Sequence, residues 1–173
     1  MFKSKLYLLI IFLLLLSVTG SLIAAELDTV LARADKEIAA GSYDAARQTL
    51  DRAIELSPKS SKAHQKMAAL HMIQREYSQS IPLFQQAIGL DAKNGGAFIG
   101  LGFAYLHSGR YGPARAALLE AQSLIPEKAA EIQQIISWID GRAPEQTEYT
   151  GLETTMPETV KAAMGHNNNQ RLD

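Results

Sequence analysis

Four histidines, His64, His71, His107 and His166, are the side chains with the widest chemical reach in this sequence. On a helix, a two-histidine zinc site needs a spacing of four, which puts both imidazoles on one face a single turn apart. His64 and His71 are seven apart, two turns along, and they stand where aromatic residues recur elsewhere in the chain. They read as packing residues. His107 falls near a helix end and reads as a capping or surface residue, while His166, beside Asn167, Asn168 and Asn169, offers adventitious metal binding at most. No serine sits in a G-x-S-x-G elbow, and no glycine-rich loop has phosphate-binding spacing. There are no cysteines, which excludes disulfides, thiol nucleophiles, cysteine zinc sites, covalent c-type haem and a lipid-modified cysteine. The sequence therefore predicts no enzyme, no cofactor and no metal site.

Charge excludes a further class. The formal net charge is −1, and −3 once a leader carrying Lys3 and Lys5 is set aside. Nucleic-acid binding needs a clustered basic face, and none is present. An apolar content of 47% against 20% charged residues belongs to a globular protein, so the chain folds around a core.

The elements that build this core announce themselves as a repeat. Ala53-Ile54-Glu55-Leu56-Ser57-Pro58 returns 34 residues later as Ala87-Ile88-Gly89-Leu90-Asp91-Ala92, and again as Ala121-Gln122-Ser123-Leu124-Ile125-Pro126. The same stride links Tyr43, Tyr77 and Tyr111. It also links Leu50, Phe84 and Leu118, then Ala34, Ala68 and Gly102, then Ala46, Ser80 and Ala114. Aligned columns in three copies indicate stacked supersecondary units, none of which buries its apolar face alone.

The third copy reads Phe98, Leu101-Gly102, Tyr105, Ala114, Leu118 and Pro126, which resembles the tetratricopeptide repeat, W-x2-L-G-x2-Y followed by A-x3-F and P. The second copy has His64, Met67-Ala68, His71, Ser80 and Phe84, with Ala92 in place of the proline. The first keeps Ala34, Ala46, Leu50, Ala53 and Pro58 but places Arg33 and Glu37 in apolar columns, so its first helix is the weakest element. The resemblance implies an all-α, right-handed superhelical solenoid with repeats at about 27–60, 61–94 and 95–128. Gly41 and Gly109 are expected in left-handed C-terminal turns. Asp44 and Ser78 are expected as N-caps of the second helices, Pro113 in a tolerant first turn, and Pro82 as a local bend. Ile132, Ile135, Ile136 and Ile139 form one apolar stripe, giving a capping helix at about 127–140 that Gly141 ends and to which Trp138 contributes.

Both ends differ from this body. Lys3 and Lys5 precede an apolar run from Leu6 to Leu16 and small residues up to Ala25, the layout of a signal peptide cut after Ala25. Ile23 is bulky for such a site. The competing reading is an uncleaved anchor, since Leu6 to Ala25 carries no charge over a bilayer-spanning length. Either way the body is exported, which in a Gram-negative bacterium means the periplasm. Residues 142–173 are polar and lack apolar periodicity, so a mobile tail is expected, in which 157–164 is suited to form one short helix.

The resemblance implies that first helices line a surface holding peptides or helices of other proteins. The helix around Ala97–Leu106 is apolar on nearly every side, which leaves Ile99, Phe103 and Leu106 as a stripe beyond what its own packing needs. With Leu31, Ile38, Met72 and Ile73, the polar Lys62, Gln65 and Lys66, and His107, they form the candidate protein-binding groove, suited to an apolar or amphipathic segment. Phe103→Glu is accordingly expected to abolish capture while helicity survives. The basic and asparagine clamp that some members use for acidic C-termini is not evident, with Ala32 and Gly100 at two of its places. The leading reading is a non-catalytic scaffold or assembly factor. The alternative is a self-associating or membrane-anchored organiser whose groove is covered by its own tail or by a second copy.

Overall fold

The computed structural model describes residues 22–142; the leader up to residue 21 and the tail beyond 142 lie outside them. Every regular element among the described residues is helical: α1 (22–39), α2 (Tyr43–Leu56), α3 (Ser61–Ile73), α4 (Tyr77–Leu90), α5 (Gly95–His107), α6 (Tyr111–Leu124), a 3-10 turn at Pro126–Lys128, and α7 (Ala129–Arg142). They form consecutive helix–turn–helix hairpins. The chain divides into two compact units, one up to Ala63 and one from His64 on, with α3 running across the boundary.

The hairpins repeat down to single hydrogen bonds. At the first turn Gly41 N–H donates to Ile38 O at 3.0 Å, and Ser42 N–H to Glu37 O at 2.8 Å. At the second, Arg75 N–H donates to Met72 O at 3.0 Å and Glu76 N–H to His71 O at 2.8 Å. At the third, Gly109 N–H donates to Leu106 O at 3.0 Å and Arg110 N–H to Tyr105 O at 2.9 Å. This paired pattern is the Schellman motif, which satisfies carbonyls that a helix end leaves over. Each second helix then opens on its tyrosine and closes with the N–H of Ser57, Asp91 or Ile125 donating to Ala53, Ala87 or Ala121.

The Schellman turn needs a left-handed residue, and Gly41 (φ 72°) and Gly109 (φ 69°) supply it without steric cost. The middle turn uses Arg75 at φ 61°. There a Cβ meets the carbonyl oxygen, at roughly 1–2 kcal/mol. Arg75→Gly is expected to raise the urea midpoint, with stability increased by about 0.5–1 kcal/mol after the extra freedom of glycine in the unfolded chain is deducted. A lower midpoint would show that the arginine side chain contributes more than its backbone costs.

Two local expectations need correction. The N-caps of α2 and α4 are Ser42 and Glu76, neither with a side-chain cap bond, and Asp44 and Ser78 are second helical residues. The Schellman turn brings the chain into helical geometry two residues after its left-handed position, earlier than a capping side chain at 44 or 78 requires. Likewise Gly141 does not end the capping helix, which continues to Arg142. There the guanidinium lies 4.7 Å over the Trp138 ring, one turn back, and holds the last turn together. Pro82 lies within α4, which runs on to Leu90. Its missing N–H leaves the Ser78 carbonyl, on an exposed residue, to water.

In the first unit Leu31 and Ala34 of α1 and Ala46, Leu50 and Ala53 of α2 are buried. Arg33 and Glu37, the two polar residues in apolar columns, do not break α1. They pair at 2.7 Å, and Glu37 also takes a hydrogen bond from the buried Thr49 of α2. A polar contact thus replaces the usual apolar one. The Thr49 hydroxyl first, and Arg33 second, hold the Glu37 carboxyl below the ordinary carboxylate value of 4.5. A depressed folded pKa means that this contribution is intact above that value and lost as pH falls through the folded one. The gap in melting temperature between wild type and Glu37→Gln is expected to narrow between roughly pH 6 and roughly pH 3. A constant gap would show that the carboxylate charge is not what holds the pair.

In the second unit the core is continuous from Ala68 and Phe84 through Leu101, Leu106 and Leu118 to Ile132, Ile135, Ile136 and Ile139. Ala68, Ala87 and Ala121 are fully buried at close helix contacts. α7 seals the end: its four isoleucines are 1–3% exposed, and Arg115 of α6 pairs with Asp140 at 2.7 Å.

Candidate partner-binding face

The residues expected to form a groove separate into covered and accessible sets. In the first unit Leu31 is 2% exposed and Ile38 half-buried, while Lys62 is exposed, with its ammonium 4.0 Å from Asp28. In the second unit Leu106 is fully buried and Phe103 only 5% exposed. Both belong to the apolar core, because α5 packs along both α4 and α6. The extra stripe on α5 is therefore covered mainly by the chain's own helices, and Phe103→Glu strikes the fold before any partner.

What stays accessible in this unit is carried mostly by α3. Ile73 is 48% exposed, and Met72 beside it and Ile99 of α5 are half-buried where they pack against the core. At one end of this set, the Gln65 side-chain carbonyl accepts a 3.0 Å bond from Asn94 Nδ2, and Lys66 is half-buried. At the other end, His107 stacks on Tyr77 with ring centroids 4.6 Å apart and planes within 3° of parallel.

Asn94 was not singled out from the sequence. Its Oδ1 accepts the Ala97 N–H at 2.9 Å to cap α5, while its amide nitrogen reaches Gln65, so one side chain ties the start of α5 to α3. The signal was present, an asparagine directly before Gly95-Gly96 and three residues before Ala97.

Two further histidines lie in the packed interior. His71 is buried, and its Nδ1 lies 2.6 Å from a Glu76 carboxylate oxygen across the α3–α4 turn. His64 is also buried, and His166 lies outside the described residues. Among the described residues no three histidine, aspartate or glutamate side chains converge as a metal site would require. Trp138 is half-buried against the core, with its ring edge-on to Tyr111 at 6.3 Å.

Comparison with known families agrees with this repeating geometry: residues 27–70 and 71–139 each match a tetratricopeptide-repeat model. The chain belongs to the tetratricopeptide-repeat family. No curated protein matches this repeat protein in sequence. Among solved structures it is similar to the Yersinia enterocolitica type III secretion chaperone SycD in complex with a peptide of the translocator YopD. Identity there is 17% and the TM-score 0.63, over 68% of this chain and 94% of that one. It is also similar to the first repeat domain of Spaghetti (RPAP3) bound to an HSP90 peptide, at 14% identity and TM-score 0.65 over 69% and 94%. A third likeness is to an O-GlcNAc transferase of Thermobaculum terrenum, at 21% identity and TM-score 0.62, over 68% of this chain but 22% of that one. At such identities the likeness is one of fold.

Proposed function

We propose that this tetratricopeptide-repeat chain is a non-catalytic protein-binding module, an exported scaffold or assembly factor that grips an apolar or amphipathic segment of a partner. The observation that carries this reading is Ile73, left 48% exposed at the end of the first helix α3, next in sequence to half-buried Met72. A large apolar side chain left in water on a rigid helix favours docking of another apolar surface. Two structurally similar proteins hold peptides, one of a translocator and one of HSP90, which supports the class of function. The basic N-terminus and apolar leader support a periplasmic body.

Self-association is the second reading, favoured by a SycD structure of the same fold described as an alternative dimer. A photo-reactive residue at position 73, in cells of the native host, tests both. Position 119 on α6, where the leucine is 39% exposed, is the control. Adducts with a different protein from position 73 but not from 119 are expected. An adduct with the mass of two copies of this chain would favour self-association, and equal or no labelling at both positions would remove the face from consideration.

A further inference from the structure

A cleft of about 210 Å3 runs between the two helices of the first hairpin. Val30 and Arg33 of α1 line it, with Ala45, Gln48, Thr49 and Arg52 of α2. None of these is among the apolar residues that the hairpin packs away, Leu31, Ala34, Ala46, Leu50 and Ala53, so the cleft lies beside the core and not in it. Pockets that take cofactors or metabolites measure roughly 300–1,000 Å3. This one is smaller and suits a single side chain.

The 34-residue stride accounts for the space. Val30 stands in the column of His64 and Phe98, the tryptophan position of the repeat pattern. In the third hairpin the Phe98 ring packs against a core that includes Leu101 and Ala117, the counterparts of Arg33 and Thr49. The first hairpin carries the short Val30 in that column, and the exposed side chains of Arg33 and Arg52 border the cleft. We infer that this cleft is a second docking socket, which receives one aromatic side chain of a partner protein against the guanidinium groups of Arg33 and Arg52. It goes beyond the reading at Ile73 and does not rest on it.

Two arginines at one cleft also suit an anion, but their ion pairs weigh against it. Arg33 Nε donates to Glu37 Oε1 at 2.7 Å and Arg52 Nη2 to Glu26 Oε1 at 3.2 Å, so each cation already has a carboxylate. An incoming anion has to compete with both. Those hydrogen bonds lie in the guanidinium plane, whereas an aromatic ring stacks on its face, so the ring is accepted with both carboxylates in place. The same chain packs this way twice: Arg110 lies 4.6 Å over the Tyr105 ring, and Arg142 lies 4.7 Å over that of Trp138. Val30 and Ala45 give the ring an apolar wall, and the Gln48 amide offers a carbonyl to an indole N–H or a phenol O–H.

The test titrates the full chain with N-acetyltryptophanamide, an uncharged indole, and follows the arginine Nε–H resonances by NMR. Saturable shifts at Arg33 and Arg52 are expected. N-acetylcyclohexylalaninamide, a bulky ring without π electrons, is expected to bind roughly two- to fivefold more weakly, as is the indole to Arg52→Gln. Acetate is expected to shift neither resonance. Val30→Trp, which places a ring on the chain itself, is expected to abolish indole binding and raise the urea midpoint; should it unfold, Arg52→Gln still decides. A photo-reactive residue at position 48, in cells of the native host, is expected to cross-link to a peptide of a different protein that carries an aromatic residue. Equal shifts from acetate or equal binding of the cyclohexyl probe overturn the aromatic assignment. No saturable shift, full indole affinity in Arg52→Gln or in folded Val30→Trp, or a cross-link within this chain overturns the socket. Labelling from position 73 is expected to persist in Val30→Trp, so failure here leaves the reading at Ile73 standing.

Discussion

Phe103→Glu is expected to unfold the second unit, whereas Ile73→Glu is expected to leave it folded and abolish partner binding. The two residues were grouped together by sequence, and burial separates them: 5% of Phe103 is exposed against 48% of Ile73. A glutamate at position 103 loses the burial of an aromatic ring, about 3–5 kcal/mol, and adds a carboxylate without a counter-charge in an apolar core. Together these consume most of the roughly 5–15 kcal/mol that holds a domain. At position 73 the new carboxylate stays in water, and a change of about 0.5 kcal/mol or less is expected. Circular dichroism with urea titration reads the fold, and photo-labelling from the Met72–Ile99 surface reads binding. A collapsed Ile73→Glu protein, or a Phe103→Glu protein with an unshifted midpoint, would contradict the division drawn between core and surface.

That division shows what a single sequence can and cannot convey. The 34-residue stride was legible because each repeat solves the same packing problem: Ala53, Ala87 and Ala121 are all fully buried, and the tyrosines at 43, 77 and 111 all open a helix. Gly41 and Gly109 could be read because a left-handed turn selects glycine. Arg75 could not, since the same backbone there carries a residue with no such preference. The starts of α2 and α4 were misplaced by two residues because Asp44 and Ser78 suit a cap and a first turn equally well. Arg33 and Glu37 read as a weak helix because Thr49, whose hydroxyl bonds the Glu37 carboxylate, lies in another element. The stripe of Ile99, Phe103 and Leu106 revealed that these side chains seek cover, but periodicity does not tell whether the cover is a neighbouring helix or another protein.

Gly100 illustrates the same limit, and its replacement has an effect whose sign can be derived. From sequence it was only a missing member of a clamp. In the fold a Cβ built there lies 2.3 Å from both Cε1 and Cζ of Phe84, a ring that is itself 2% exposed and so has little room to turn away. Alanine in a helix interior is worth about 1 kcal/mol over glycine, while overfilling a packed core costs about 1–3 kcal/mol. The second term prevails, and Gly100→Ala is expected to lower stability by roughly 1 kcal/mol or more. At Gly89 in α4 nothing lies within 4 Å of the added carbon and the backbone is ordinary helix, so Gly89→Ala is expected to raise stability by about 1 kcal/mol. One chemical change thus moves the urea midpoint in opposite directions at two helical positions. If both variants were stabilised, the α4–α5 contact would be looser than these distances state. The close approach that glycine permits would then not be what sets α5 against α4.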